Sequence, residues 1–288
     1  MKFSLKNFVL TALVSVSLSA SLLIAPTYGM DPTPEWTKCA LIVKQKGESI
    51  MERGKCDDPH APYSTFKVAL ALMGFDAEIL QDKDSPELVF INEDDNKLKR
   101  IYPDWYTLEI GEKYHWRQAH TPETYMKNSV IWYSFRITQA LGKEKFQEYV
   151  SKFHYGNEDI SGTPDKDDGL LKSWLGTSLE ISPRGQVEFL ENLFVGNPMV
   201  SKDAQEKTRE IMDRDEEWNG WRLYGKTGGG AVGWFIGWVE KKEDRVFFAQ
   251  YIDGTDQNLD QTGLSVHETA GLKAKEVAKR HILKLLPK

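Results

Sequence analysis

Ser64-Thr65-Phe66-Lys67 sets a hydroxyl and an amine three residues apart. In a helix beginning near Ser64, positions i and i+3 share a face, so the amine can approach the hydroxyl. A helix N-terminus favours developing negative charge, and a serine hydroxyl becomes a nucleophile once a neighbouring base takes its proton. The same residues also fit an N-capping serine followed by a surface lysine, and S-x-x-K arises by chance about once in a chain of this size. Lys226-Thr227-Gly228, running into Gly229 and Gly230, offers a cation, a hydroxyl and glycines. Such a set can bind a carboxylate and let a ligand approach the backbone closely; a flexible turn is the plainer alternative. Ser129 brings a second hydroxyl or caps a helix, and Tyr155-Gly156-Asn157 taken alone is a turn.

These residues need elements to position them. Residues 40–43 and 49–53 read as strands, and helical spacing runs through 64–75 and again through 129–141. Residues 76–128 are Pro-punctuated and carry Glu93-Asp94-Asp95, which suits solvated loops and short helices. A Gly/Asp/Pro-rich loop covers 156–169. Ser182-Pro183 is an N-cap followed by proline, with Val187, Leu190 and Phe194 on one face. Arg222-Leu223-Tyr224 can end a strand ahead of Lys226. Residues 232–240 and 246–252 form a hairpin through 241–244, and Ala274, Val277, Ala278, His281, Ile282 and Leu285 give a terminal helix one apolar stripe. Strands at both ends with helices between predict an α/β (α+β) fold: one antiparallel sheet flanked by helices, with a helical subdomain.

Composition narrows the function. The 288 residues carry 43 acidic and 37 basic side chains, a net charge of −6, and 28% charged and 11% aromatic residues, which excludes a disordered chain. The acidic balance argues against a nucleic-acid partner. Six scattered His without a paired spacing leave no metal site to expect. Lys2 and Lys6 precede an apolar run over 8–25 and a small-residue stretch over 26–29, the pattern of a secretory signal peptide. Residues 1–29 are therefore expected to be a leader and 30–288 the working domain, exported to a periplasm or secreted, with no membrane attachment after cleavage. A retained anchor is the alternative; Ser15, Ser17, Ser19 and Ser21 dilute it, and no basic stop-transfer flank follows. Export permits a disulfide. A two-residue turn at Gly47-Glu48 would place Cys39 opposite Cys56 as a non-hydrogen-bonded pair within bridging range, whereas one residue of slip would leave two buried thiols.

Each motif is weak alone, but the order S-x-x-K (Ser64, Lys67), Ser129, Y-G-N (155–157), K-T-G (226–228) is specific. It resembles the class D, oxacillinase-type, serine β-lactamases of the penicillin-binding-protein/transpeptidase-like superfamily, whose relatives share S-x-x-K and K-T-G. Trp174-Leu175 and Phe235-Ile236-Gly237-Trp238-Val239 look like further segments of that family, so the likeness covers the whole mature chain. The resemblance implies that Ser64 forms an acyl-enzyme with a β-lactam, with the Ser64 and Gly229 N–H groups as oxyanion hole. It implies that Lys226, Thr227 and Gly228 hold the substrate carboxylate and that Ser129 relays a proton to the leaving nitrogen. It also implies that Lys67 reacts with CO2 or bicarbonate to become N6-carboxylysine, the general base, in a pocket of Ile131, Trp174 and Leu175; no bound cofactor is implied. An arginine that many members carry on the loop before the last helix finds its best match in Lys273, a point charge rather than a fork; a solvated lysine at a helix start fits that position at least as well. Two positions depart from the pattern: Ile131 stands where the family has Val, and Ser134 where it often has Phe. Hydrolysis of penicillin-type antibiotics, hence resistance, is the function so implied. A transpeptidase or carboxypeptidase, or a penicillin sensor that stays acylated, would use the same nucleophile.

Overall fold

A computed structural model describes residues 37–101, 116–194, 200–229, 232–253 and 266–286. The expected leader over 1–29 lies outside the described residues. So do Gly230 and residues 254–265, just before the last helix.

Six strands make one antiparallel sheet in the order β2-β1-β6-β5-β4-β3: β1 (Thr37–Lys44), β2 (Glu48–Gly54), β3 (Asp213–Trp218), β4 (Trp221–Gly229), β5 (Val232–Lys241) and β6 (Asp244–Asp253). The central strands are apolar at successive positions because helices cover both faces. Trp234, Ile236 and Trp238 of β5 join Leu41, Val43, Phe247, Ala249 and Tyr251 on one side. Phe235 and Val239 join Ile42, Leu223, Phe248 and Ile252 on the other. Alternate side chains point to opposite faces, so both sets are buried by one register. Each large apolar side chain removed from water contributes about 1.5–3 kcal/mol.

On the second face lies α8 (Val266–Leu285), which inserts Ala274, Ala278 and Ile282. The first face carries the helical layer: a 3-10 turn (Tyr63–Phe66) running into α1 (Lys67–Asp76), then α2 (Asn92–Ile101), α3 (Pro122–Lys127), α4 (Ile131–Lys152), α5 (Gly169–Lys172), α6 (Pro183–Asn192) and α7 (Lys202–Glu210). Ser182 caps α6 as expected, its hydroxyl accepting from the Gly185 N–H at 3.0 Å. No helix among the described residues is long and apolar enough to cross a membrane.

The structure corrects several expectations. The β1–β2 turn spans Gln45-Lys46-Gly47, with Lys46 and Gly47 at φ 81 and 82, and a bulge follows between Ile42 and Val43. Cys39 therefore faces Gly54, not Cys56. The bridge forms nonetheless, because the Lys55 N–H still donates to Lys38 O at 2.8 Å and brings Cys56 alongside, with Cα atoms 5.1 Å apart. The helix expected over 129–141 ends where Gly142 leaves helical geometry (φ 74, ψ 166), and a second helical stretch continues to Lys152. Leu285, placed on the buried stripe of the terminal helix, is 38% exposed. Strand β3, Asp-Arg-Asp-Glu-Glu-Trp, has no apolar alternation and was not expected at all.

Candidate active site

Ser64 does not cap an α-helix. It sits in the 3-10 turn, and Lys67 is the first residue of α1. In a 3-10 helix, residues i and i+3 eclipse, and the Lys67 amine donates to Ser64 Oγ at 2.9 Å. Ser64 is half-buried and reachable, whereas Lys67 is fully buried. The residue ahead of Ser64, Tyr63, is held at φ 48, a left-handed conformation that a side chain adopts only when its surroundings impose it. Those surroundings come from distant parts of the chain. The Tyr63 N–H donates to Trp174 O at 2.9 Å, and Trp234 Nε1 donates to Ala61 O at 3.0 Å. Beneath the turn runs a buried polar chain: Tyr155 OH to Gln186 Oε1 (3.3 Å), Gln186 Nε2 to Thr65 Oγ1 (2.8 Å), and Thr65 Oγ1 to Pro62 O (2.7 Å). Gly228 lets the strand press onto this turn; a Cβ there would sit 3.0 Å from Thr65 and 3.1 Å from Pro62 O.

The second pair is assembled across the fold. Lys226 on β4 donates to Ser129 Oγ at 2.9 Å and to Thr227 O at 3.0 Å. Ser129 stands between α3 and α4 at φ 57; Val130, rather than Ser129, is the N-cap of α4. Trp116 Nε1 fixes the approach by donating to Asn128 O at 2.9 Å, and Trp132 Nε1 donates in turn to Trp116 O at 2.6 Å. Thr227 and Gly229 are half-buried beside these groups on the same strand.

Burial sets the electrostatics. Desolvation of the ammonium lowers the Lys67 pKa to about 7. Lys226 is lowered well below its ordinary value, first by desolvation, then by the charges of Lys67 and Arg214. Lys226 thus lies within the field of Lys67, and every acceptor the two bond is a neutral oxygen. Such a site has a deficit of negative charge. It also holds a base near neutrality beside a hydroxyl, the chemistry of acyl transfer.

The remaining expected residues are placed as follows. Trp174 is fully buried with its ring against Phe66, the neighbour of Lys67, at 5.5 Å, and its Nε1 is buried without a hydrogen-bond partner. Ile131 opens α4 at 6% exposure, and Leu175 packs partly buried on the same core. Ser134 is buried and donates to Tyr125 OH at 3.3 Å. Lys273 lies inside α8, not on a loop before it. It is exposed and makes no hydrogen bond or ion pair among the described residues. The α8 residue that meets the K-T-G strand is Gly271, where a Cβ would sit 2.9 Å from Gly228 O. No cluster of metal-ligating side chains occurs among the described residues.

Residues 35–280 match the penicillin binding protein transpeptidase domain. The chain is 34% identical over 238 residues to β-lactamase OXA-9 of Klebsiella pneumoniae, covering 78% of this chain and 82% of that protein. It belongs to the class D β-lactamases. β-Lactamase OXA-1 of Escherichia coli is 36% identical over 235 residues, covering 78% of this chain and 75% of the relative. The crystal structure of the class D β-lactamase OXA-427 superimposes with a TM-score of 0.71 at 34% identity, covering 86% of this chain and 96% of the other. A fourth relative, the regulatory protein BlaR1 of Bacillus licheniformis, is 32% identical over 216 residues, but the match spans 32% of that longer protein.

Within this class D site, Y-G-N is more than a turn. Tyr155 props the Ser64 turn through Gln186, while Asn157 donates to Ser178 O at 2.8 Å and accepts from the Glu180 N–H at 3.0 Å. Gln186, Trp116 and Arg214 were not singled out from sequence. Gln186 was findable as a polar residue on the apolar face of α6; Arg214, in an acidic run, carries no such signal.

Proposed function

We propose that the chain hydrolyses β-lactams through an ester on Ser64. The observation that carries this reading is the 2.9 Å contact between Ser64 Oγ and a buried lysine whose pKa is lowered to about 7. Neutral at pH 7 in about half of the molecules, the Lys67 side can accept the serine proton as Oγ attacks the lactam carbonyl. The Ser64 and Gly229 N–H groups would receive the developing oxyanion. As the C–N bond breaks, Ser129 Oγ–H, bonded by Lys226, gives its proton to the ring nitrogen, and Lys226 can resupply it. Thr227 and Gly228 offer a place for the substrate carboxylate next to Lys226. Once Lys67 has released that first proton, water attacks the ester carbonyl and yields its proton to the same base, and the proton passes to Ser64 Oγ as the ester C–O bond breaks.

Two observations fit a CO2-derived carbamate on Lys67: an amine close to neutrality, which is nucleophilic, and the unpartnered buried Nε1 of Trp174 beside Phe66. Such a carbamate would supply an anionic base for both half-reactions. A leader over 1–29 would carry the enzyme outside the cytoplasm, and N-terminal sequencing of the mature protein checks this.

The test mixes purified protein with a chromogenic cephalosporin. Sustained turnover supports the hydrolase; one stoichiometric burst followed by a stable adduct would assign the chain to the transpeptidase or sensor mode. Stripping dissolved CO2 should abolish turnover and added bicarbonate should restore it, and indifference to both would remove the carbamate.

A further inference from the structure

We propose that Gln186 is a positioning residue for the oxyanion site: by fixing the rotamer of Thr65, it sets how closely the K-T-G strand, with the Gly229 N–H, approaches the Ser64 N–H. The proposal rests on the β-lactam reading above, which assigns those two donors. Gln186 lies on the buried face of α6, and Thr65 and Tyr155 are buried with it. The bonds between them run one way. Tyr155 OH donates to Gln186 Oε1 at 3.3 Å, Gln186 Nε2 donates to Thr65 Oγ1 at 2.8 Å, and Thr65 Oγ1 donates to Pro62 O at 2.7 Å. With its proton committed to Pro62, the Thr65 oxygen can only accept from α6, so the Gln186 amide has one workable orientation.

A threonine is stiff about χ1, so holding its hydroxyl also holds its methyl. Here the methyl faces the sheet: a Cβ on Gly228 would lie 3.0 Å from Thr65 Cγ2 and 3.1 Å from Pro62 O. Both branches of Thr65 thus take part, Oγ1 toward α6 and Cγ2 as the spacer against β4. The next strand is pinned to the same segment, since Trp234, which pairs with Gly228, donates from Nε1 to Ala61 O at 3.0 Å. Another rotamer of Thr65 would turn a different substituent toward Gly228 and let the strand, with Gly229, settle at a different distance from Ser64. Oxyanion donors must sit where the negative charge develops, and a displacement of about 1 Å can cost about 100-fold in rate. Gln186 therefore acts through Thr65 and needs no contact with the substrate.

The experiment measures, in the full mature enzyme, kcat/KM for a chromogenic cephalosporin, Tm, and the calorimetric affinity of phenylboronic acid, whose tetrahedral serine adduct places an oxygen in the oxyanion site. Gln186→Leu, close in volume, should lower kcat/KM about 10- to 100-fold and weaken the boronate by a similar factor. Thr65→Val should show the same pair of losses, and it decides the matter if the α6 variant does not fold. Adding Gln186→Leu to Thr65→Val should cost little more. Thr65→Ser, which keeps the hydroxyl and deletes the spacer, should also lose both. A lower Tm with kcat/KM and boronate affinity kept, a fall in kcat/KM with boronate affinity intact, or additive losses in the double variant would each overturn the assignment. A wild type inert toward every β-lactam would sink the proposed function alone, and the boronate affinities of the same variants would still decide the role of Gln186.

Discussion

The two serine–lysine pairs have the same bond length and opposite origins. Ser64 and Lys67 are three residues apart and meet because a 3-10 turn eclipses them. Ser129 and Lys226 are 97 residues apart and meet because a helical connection is laid against the fourth strand. The environments differ as well. Burial alone depresses Lys67, whereas Lys226 also feels Lys67 and Arg214. In the proposed mechanism the local pair would supply the attacking group and its base. The long-range pair, sensitive to the whole fold, would supply the proton for the leaving group and the cationic seat for the substrate. The strain follows the same division: one left-handed side-chain residue stands at each pair, Tyr63 and Ser129.

If this division of labour is right, removing the nucleophile should have the largest effect. Ser64→Ala should cost at least about 10⁴-fold in kcat and leave no covalent adduct in intact-protein mass spectrometry. Lys67→Ala should reduce turnover about 10³-fold and trap what little ester forms; normal turnover in that variant would strip the local pair of its base. The pH profile sharpens the same point. Protonation of Lys67 removes the base, so kcat/KM should decline as pH drops below about 7, reaching about 100-fold lower at pH 5. For stability the sign is the same: a lysine whose folded pKa lies below its unfolded value makes the protein less stable as pH falls from about 10.5 toward 7.

The long-range pair should be less costly to lose. Ser129→Ala and Lys226→Ala should each lower kcat/KM about 10- to 100-fold, and the double variant should lose little more than either single one. Additive losses would show that the two act independently. Smallest in its effect on activity is reduction of the Cys39–Cys56 bridge. It closes a loop of sequence separation 17 and should contribute about 3 kcal/mol to stability, read as a lower Tm with kcat at 25 °C unchanged.

The contrast between the pairs also explains what the sequence makes legible. Ser64–Lys67 is visible as a spacing, since its geometry is local. Ser129 and Lys226 carry no mutual signal and come together on paper only through the order of motifs. The central strands β1, β5 and β6 announce themselves because helices bury both their faces. Strand β3 does not: it is an edge, its run Asp213-Arg214-Asp215-Glu216 reads as solvent-facing, and its bulge is set by tertiary contact. The β1–β2 register escaped for a related reason, because Lys46 adopts a left-handed conformation that nothing in its side chain requires. Tyr155 looked like part of a turn because its partner, Gln186, lies 31 residues further along.

The left-handed backbone at Tyr63 makes the enzyme its own safety catch. Its restraints come from Trp174, from Trp234 and from the chain that begins at Tyr155, contributed by three separate stretches of polypeptide. Until all three have docked, nothing holds the left-handed residue that precedes the serine. A half-folded chain would then be chemically mute, and competence would arrive together with completion of the fold.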